Sequence, residues 1–195
     1  MNVIQTTKIF LNLFILRAKP SDVPYSKTFL LFLSIVFLLT KSGVYLWFIQ
    51  IMNRFDIHEV ANLSYMASML IAVIWILLLF AILHSVLAYY KMLGRFVQLA
   101  TAFVGMECLL TFLFLVWLTS LSFIHAPLTL NAGTIGIVLG FVLMMYWQFM
   151  VYIHIIVLGM DVSILKASIF TLFYMMLQHN LAELLLNVVI TVKVR

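Results

Sequence analysis

The chain has 195 residues, 66% of them hydrophobic and only 9% charged, with a mean hydropathy of +1.22. Soluble domains carry roughly 45–50% apolar and about 25% charged residues, so an ordinary water-soluble globule is excluded. The net charge of +5 sits at the ends of apolar blocks and never in a basic run with interleaved aromatics. It therefore indicates topology and lipid headgroups, not nucleic acid.

A helix needs about 20 apolar residues to cross the hydrocarbon core. Five blocks of that kind fill most of residues 1–195, which leaves a single membrane domain. Residues 1–19 come first. Ile4, Phe10, Leu11, Phe14 and Ile15 alternate with Gln5, Thr6, Lys8 and Asn12, the pattern of an amphipathic helix too short to span. This segment is expected to lie at the membrane surface. Arg17 and Lys19 follow it where a signal-peptide cleavage site would need small residues, so retention is expected. Pro20 and Pro24 then interrupt any continuous helix.

Span one covers about 28–49, with Lys41 inside it. Asp56 and Glu59 frame a helix start in the manner of a capping box. Span two covers about 63–87 and ends at Tyr89, Tyr90, Lys91 and Arg95, an aromatic and cationic interface signature. Span three covers about 97–121, and an uncharged turn near His125 and Pro127 follows. Span four covers about 133–158. Asp161 and Lys166 flank the next turn, and span five covers about 164–192. Lys8, Arg17, Lys19, Lys27, Lys91, Arg95 and Lys166 then share the side of the N-terminus. Arg54, Lys193 and Arg195 share the other. The positive-inside rule makes the N-terminus cytoplasmic and puts the C-terminus opposite.

Ionisable groups inside a span cost about 2.5–3.5 kcal/mol each at the helix centre and must find partners or a cavity. At about 1.5 Å per residue, Lys41, Glu107, His179 and Glu183 lie about 20, 15, 20 and 25 Å from the cytoplasmic ends of their spans. Lys41 is thus expected to pair with Glu107 or Glu183 inside the bundle. The plainer alternative is that Lys41 snorkels and each acid is protonated or hydrogen-bonded alone.

Span five carries a polar stripe. His179, Asn180, Glu183 and Asn187 fall within about 100° of one another around the helix. Structural hydrogen bonding between helices is the first reading. An ion or proton relay is the second, and a metal site with Glu107 or His154 as third ligand is the last. On span four, Gly136, Gly140, Trp147 and His154 share one face. Gly136-x3-Gly140 is a small-xxx-small pair suited to close helix approach, internally or in a homodimer. His154 is expected to be a satisfied core histidine, and His84 a headgroup-level one; His58 and His125 fall in loops. Cys108, the single cysteine, is a small apolar filler. No G-x-S-x-G, H-E-x-x-H, P-loop or Cys-x-x-Cys occurs, so no catalytic residue, metal or cofactor is assigned.

The segment Leu16-Arg-Ala-Lys-Pro-Ser-Asp-Val-Pro-Tyr-Ser26 and the stretch Gly94-Arg-Phe-Val-Gln98 resemble those of a group of small bacterial inner-membrane proteins. The layout as a whole resembles the Yip1-like superfamily. The turn Gly159-Met-Asp-Val-Ser163 followed by Lys166-Ala167 is similar to that family's last interspan turn. The resemblance implies a five-span, non-enzymatic inner-membrane protein with no catalytic residues.

The expected fold is therefore all-α, a five-helix transmembrane bundle preceded by the interfacial helix. The first expectation for function is a membrane-organising or complex-forming subunit acting through helix contacts. The alternative is a small permease or ion-coupled carrier using Glu107, His179 and Glu183. A polar cavity reaching those residues separates the two, since a carrier needs one and an organiser does not.

Overall fold

A computed structural model of the chain describes the backbone of residues 3–54, 65–122 and 132–193. The side chains of 3, 48–54, 65–67, 118, 120–122, 132–134, 137, 178, 179 and 181–193 lie outside that description. Among the described residues every regular element is helical. They form α1 (Val3–Phe14), α2 (Lys27–Arg54), α3 (Tyr65–Tyr89), α4 (Phe96–Ser122), α5 (Ala132–Met160) and α6 (Ile164–Lys193), with 3-10 turns at Pro20–Asp22 and Leu93–Arg95.

Among the described residues four helical stretches are long and apolar enough to cross a membrane: Lys27–Trp47, Ser68–Tyr89, Leu93–Trp117 and Val138–Met160. In α6 the described apolar part is shorter, Ile164–Leu177. Large side chains such as Leu31, Leu77, Leu143 and Phe173 stand outward and exposed. Water would not tolerate so many, whereas lipid is their natural surrounding. The proposed starts and turns around Asp56, Glu59, His58, His125 and Pro127 lie outside the described residues.

The ends of the helices follow from local chemistry. The Ser26 hydroxyl caps α2 by accepting the Phe29 amide at 3.2 Å. At the end of α1, Leu16 takes a left-handed φ of 61°. The Arg17 amide then reaches back to the Asn12 carbonyl at 2.7 Å, closing the helix in a Schellman turn. Lys91 does the same after α3, with φ 58° and the Met92 amide on the Leu87 carbonyl at 2.8 Å. In the expected turn between the last two spans, Asp161 carries the positive φ of 53°; a short polar side chain tolerates that region.

α4 is the hub. Of its apolar window 61% is buried, against 28–33% in the other three spans. Around it the packed seams run α2 with α3, α3 with α6, and α6 with α5. No comparable seam joins α5 to α2 among the described residues. Small side chains lie within the α2–α3 packing: Ser42 on α2 and Ser68 and Ala72 on α3 are fully buried.

α1 occupies one end of the opening between α2 and α5. Phe10 and Leu13 are buried. Phe10 meets Phe29 of α2 with centroids 6.2 Å apart, and Phe14 meets Trp147 of α5 at 5.9 Å. The purely surface-lying helix expected from the sequence is thus refined. Its apolar face docks on protein, while Ile4 and Leu11 face outward.

Candidate functional site

The buried charge expected at the middle of the bundle is Glu107 of α4, only 2% exposed. Lys41 reaches it from α2, with Nζ 3.7 Å from Oε2. Of the two pairings left open by the sequence, this one is formed. Glu183 has its side chain outside the described residues. The Lys41 ammonium also stacks over the Trp75 ring of α3, 4.4 Å from its centroid, and stands 5.8 Å from that of Phe37. One face of the cation is therefore met by a carboxylate and another by an aromatic π surface.

The second carboxylate oxygen belongs to α5. The Tyr152 hydroxyl donates to Glu107 Oε1, and Gln148 Nε2 donates in turn to the Tyr152 hydroxyl oxygen at 3.0 Å. Tyr152 is fully buried. Its ring packs on Phe103 of α4 at 5.2 Å and on Tyr174 of α6 at 5.8 Å. Helices α2 to α6 thus all contribute to one aromatic and ionic core. Such a pair gains from low dielectric only when its remaining lone pairs are satisfied, and Tyr152 supplies that satisfaction here.

Beside the pair lies a cavity of about 230 Å³ in the opening between α2 and α5. Lys41, Tyr45, Glu107, Thr111 and Gln148 are its polar lining, and Val44, Leu110, Phe114, Met144 and Met145 its apolar lining. Thr111 is 4% exposed, and its hydroxyl has no hydrogen-bond partner among the described residues.

Of the expected polar stripe, Asn180 is exposed and donates to the Met176 carbonyl of its own helix at 2.8 Å. The side chains of His179, Glu183 and Asn187 lie outside the described residues. Among the described residues no three of His, Cys, Asp and Glu come together.

His154 is satisfied as expected, its Nε2 lying 2.9 Å from the Ala18 carbonyl oxygen. That bond ties α5 to the segment after α1. The close approach expected at Gly136 is not found among the described residues: nothing lies within 4 Å of where its Cβ would stand. Gly140 meets only the edge of Trp117, at 3.4 Å. Beside Gly140, Phe141 packs on Trp117 and Phe114 of α4, with ring centroids 5.6 and 6.3 Å apart. The helix approaches that truly need glycine are Gly105, against the Phe10 ring, and Gly159, against Leu99. Cys108 contacts the Leu33 carbonyl at 3.6 Å, a packing role. His84 is exposed and lies edge-on to Phe96 at 5.9 Å.

Sequence reasoning missed Tyr152, Gln148, Trp75 and Thr111. One signal was available. Gln148 is the sole side-chain amide on α5, and an amide inside an apolar helix asks for a partner.

These features define a class: a helical membrane bundle with a buried ion pair opening on a cavity. The chain matches no protein-family model, no curated protein and no solved structure.

Proposed function

We propose that the protein is a five-span integral membrane permease that binds a small polar or charged solute at Lys41 and Glu107. The observation that carries this reading is the cavity reaching both residues, the feature that separates a carrier from an organiser. Ionisable groups held inside a membrane bundle mark substrate or ion pathways, and carriers hold their sites near the bilayer midplane. α6 supplies the fifth span. α1 works at the cytoplasmic boundary, and the loop charges put the N-terminus in the cytoplasm and the C-terminus opposite. The resemblance of the layout to the Yip1-like superfamily supports a bacterial inner membrane as its place.

The test is thiol labelling in membrane vesicles, on a Cys108→Ala background. Thr111→Cys reacts with an anionic, membrane-impermeant methanethiosulfonate, because the cavity admits solute. Leu143→Cys, on the 66% exposed outer face of α5, stays unreacted in lipid. A silent Thr111→Cys removes the permease reading.

The second reading is a complex-forming subunit acting through helix contacts. It draws on the outer half of α5, where Val138, Leu139, Val142 and Leu143 are exposed. It predicts a stoichiometric membrane-protein partner, or a second copy of the chain, after purification in mild detergent.

A further inference from the structure

Two polar groups of the cavity lining, the Lys41 ammonium and the Thr111 hydroxyl, have no hydrogen-bond acceptor among the described residues. Lys41 brings three N–H donors. Its ammonium sits 3.7 Å from Glu107, beyond hydrogen-bond range, and makes no hydrogen bond among the described residues. Thr111 adds a hydroxyl, nine-tenths or more buried and without a partner. Both line the same space. A buried hydroxyl left without a partner costs free energy, and an anionic oxygen placed in this space would serve both that hydroxyl and the Lys41 ammonium. The rest of its wall, from Val44 and Leu110 to Phe114, Met144 and Met145, is apolar.

From these two donors we infer that the cavity binds a small monocarboxylic acid with an apolar body. The carboxylate oxygens take the Lys41 ammonium and the Thr111 hydroxyl. The hydrocarbon part lies against Phe114 and the two methionines, whose flexible thioether chains adapt to its shape. Lys41 and Glu107 together are neutral, and net charge at this depth is disfavoured. The ligand is therefore taken up as the whole acid, anion plus proton, with Lys41, Glu107, Tyr45 and Tyr152 as the titratable groups around it. This ligand class rests on the permease reading above.

The experiment is thermal unfolding of the full chain in mild detergent, titrated with pentanoate, pentylamine or 1-pentanol at constant ionic strength. Pentanoate raises Tm saturably by several degrees; the amine and the alcohol at the same concentrations do not. Thr111→Val, nearly isosteric, weakens the apparent pentanoate affinity at least about fivefold and leaves the ligand-free Tm close to that of the parent. Lys41→Gln abolishes the pentanoate shift if the variant folds, and Thr111→Val carries the test if it does not.

Three results overturn the inference: no pentanoate shift, an equal shift from the amine or alcohol, or an unchanged affinity in Thr111→Val. A reactive Thr111→Cys together with any of these rejects the ligand class and keeps the permease. An unreactive Thr111→Cys rejects both.

Discussion

The ring of Phe10 occupies the space where a side chain on Gly105 would stand. Gly105 is nine residues along α4 from Phe96, about 14 Å at helical rise. The first helix is therefore keyed into the bundle well below its rim. It packs beneath the cavity, with Phe14 on Trp147 and Gln148 one residue further along α5. In this position α1 occupies one end of the opening between α2 and α5.

Gly105→Val should therefore expel Phe10. Overpacking of this kind costs about 1–3 kcal/mol, read as a lowered Tm in detergent. The matching control is Gly43, where nothing lies within 4 Å of a new Cβ. Gly43→Ala should leave Tm unchanged or raise it, since alanine favours the helix by up to about 1 kcal/mol. Equal losses at the two positions would contradict the docking of α1.

Tyr152→Phe removes the hydroxyl that serves Glu107 and keeps the ring on Phe103 and Tyr174. A hydrogen bond to a charged group is worth about 1.5–3 kcal/mol, and a loss in that range is expected in unfolding measurements. Gln148→Ala should cost less, because its bond is to the tyrosine and not to the carboxylate.

Trp75→Leu keeps an apolar side chain beside Lys41 and removes the π face that lies 4.4 Å away. A cation–π contact is worth about 0.5–2 kcal/mol depending on desolvation. That loss should disappear when Lys41 is already Met, because no cation then remains. A loss of the same size in both backgrounds would assign Trp75 to packing alone.

Reporter fusions test the five-span arrangement. A fluorescent reporter before Met1 should be active in the cytoplasm, and a phosphatase after Arg195 on the far side. A fluorescent reporter active at both ends, or a phosphatase active at both ends, would contradict an odd number of spans.

Lys41 and Glu107 could be brought together from the sequence because residue counting gives depth, and depth is all an ion pair inside a bilayer needs to be suspected. Tyr152 could not. A tyrosine in an apolar helix has many ordinary roles, and only the rotation of α5 against α4 aims this one at the carboxylate. The docking of α1 was hidden for a related reason. Phe10 and Leu13 give the same amphipathic pattern whether the apolar face meets lipid or protein, and the deciding slot, Gly105, lies far along the chain. The Gly136-x3-Gly140 pair suits an internal or a homodimer contact, and among the described residues no internal neighbour lies within 4 Å of a Cβ at Gly136. A small residue permits a close approach without supplying the neighbour.

The most direct test of the buried pair is a double-mutant cycle on Lys41→Met and Glu107→Leu, followed by thermal unfolding in detergent. Each single change leaves one buried charge unmatched and should cost about 3–5 kcal/mol, while the double variant should recover most of that loss. Additive losses, with the double variant worse than either single one, would show that the two charges do not depend on each other.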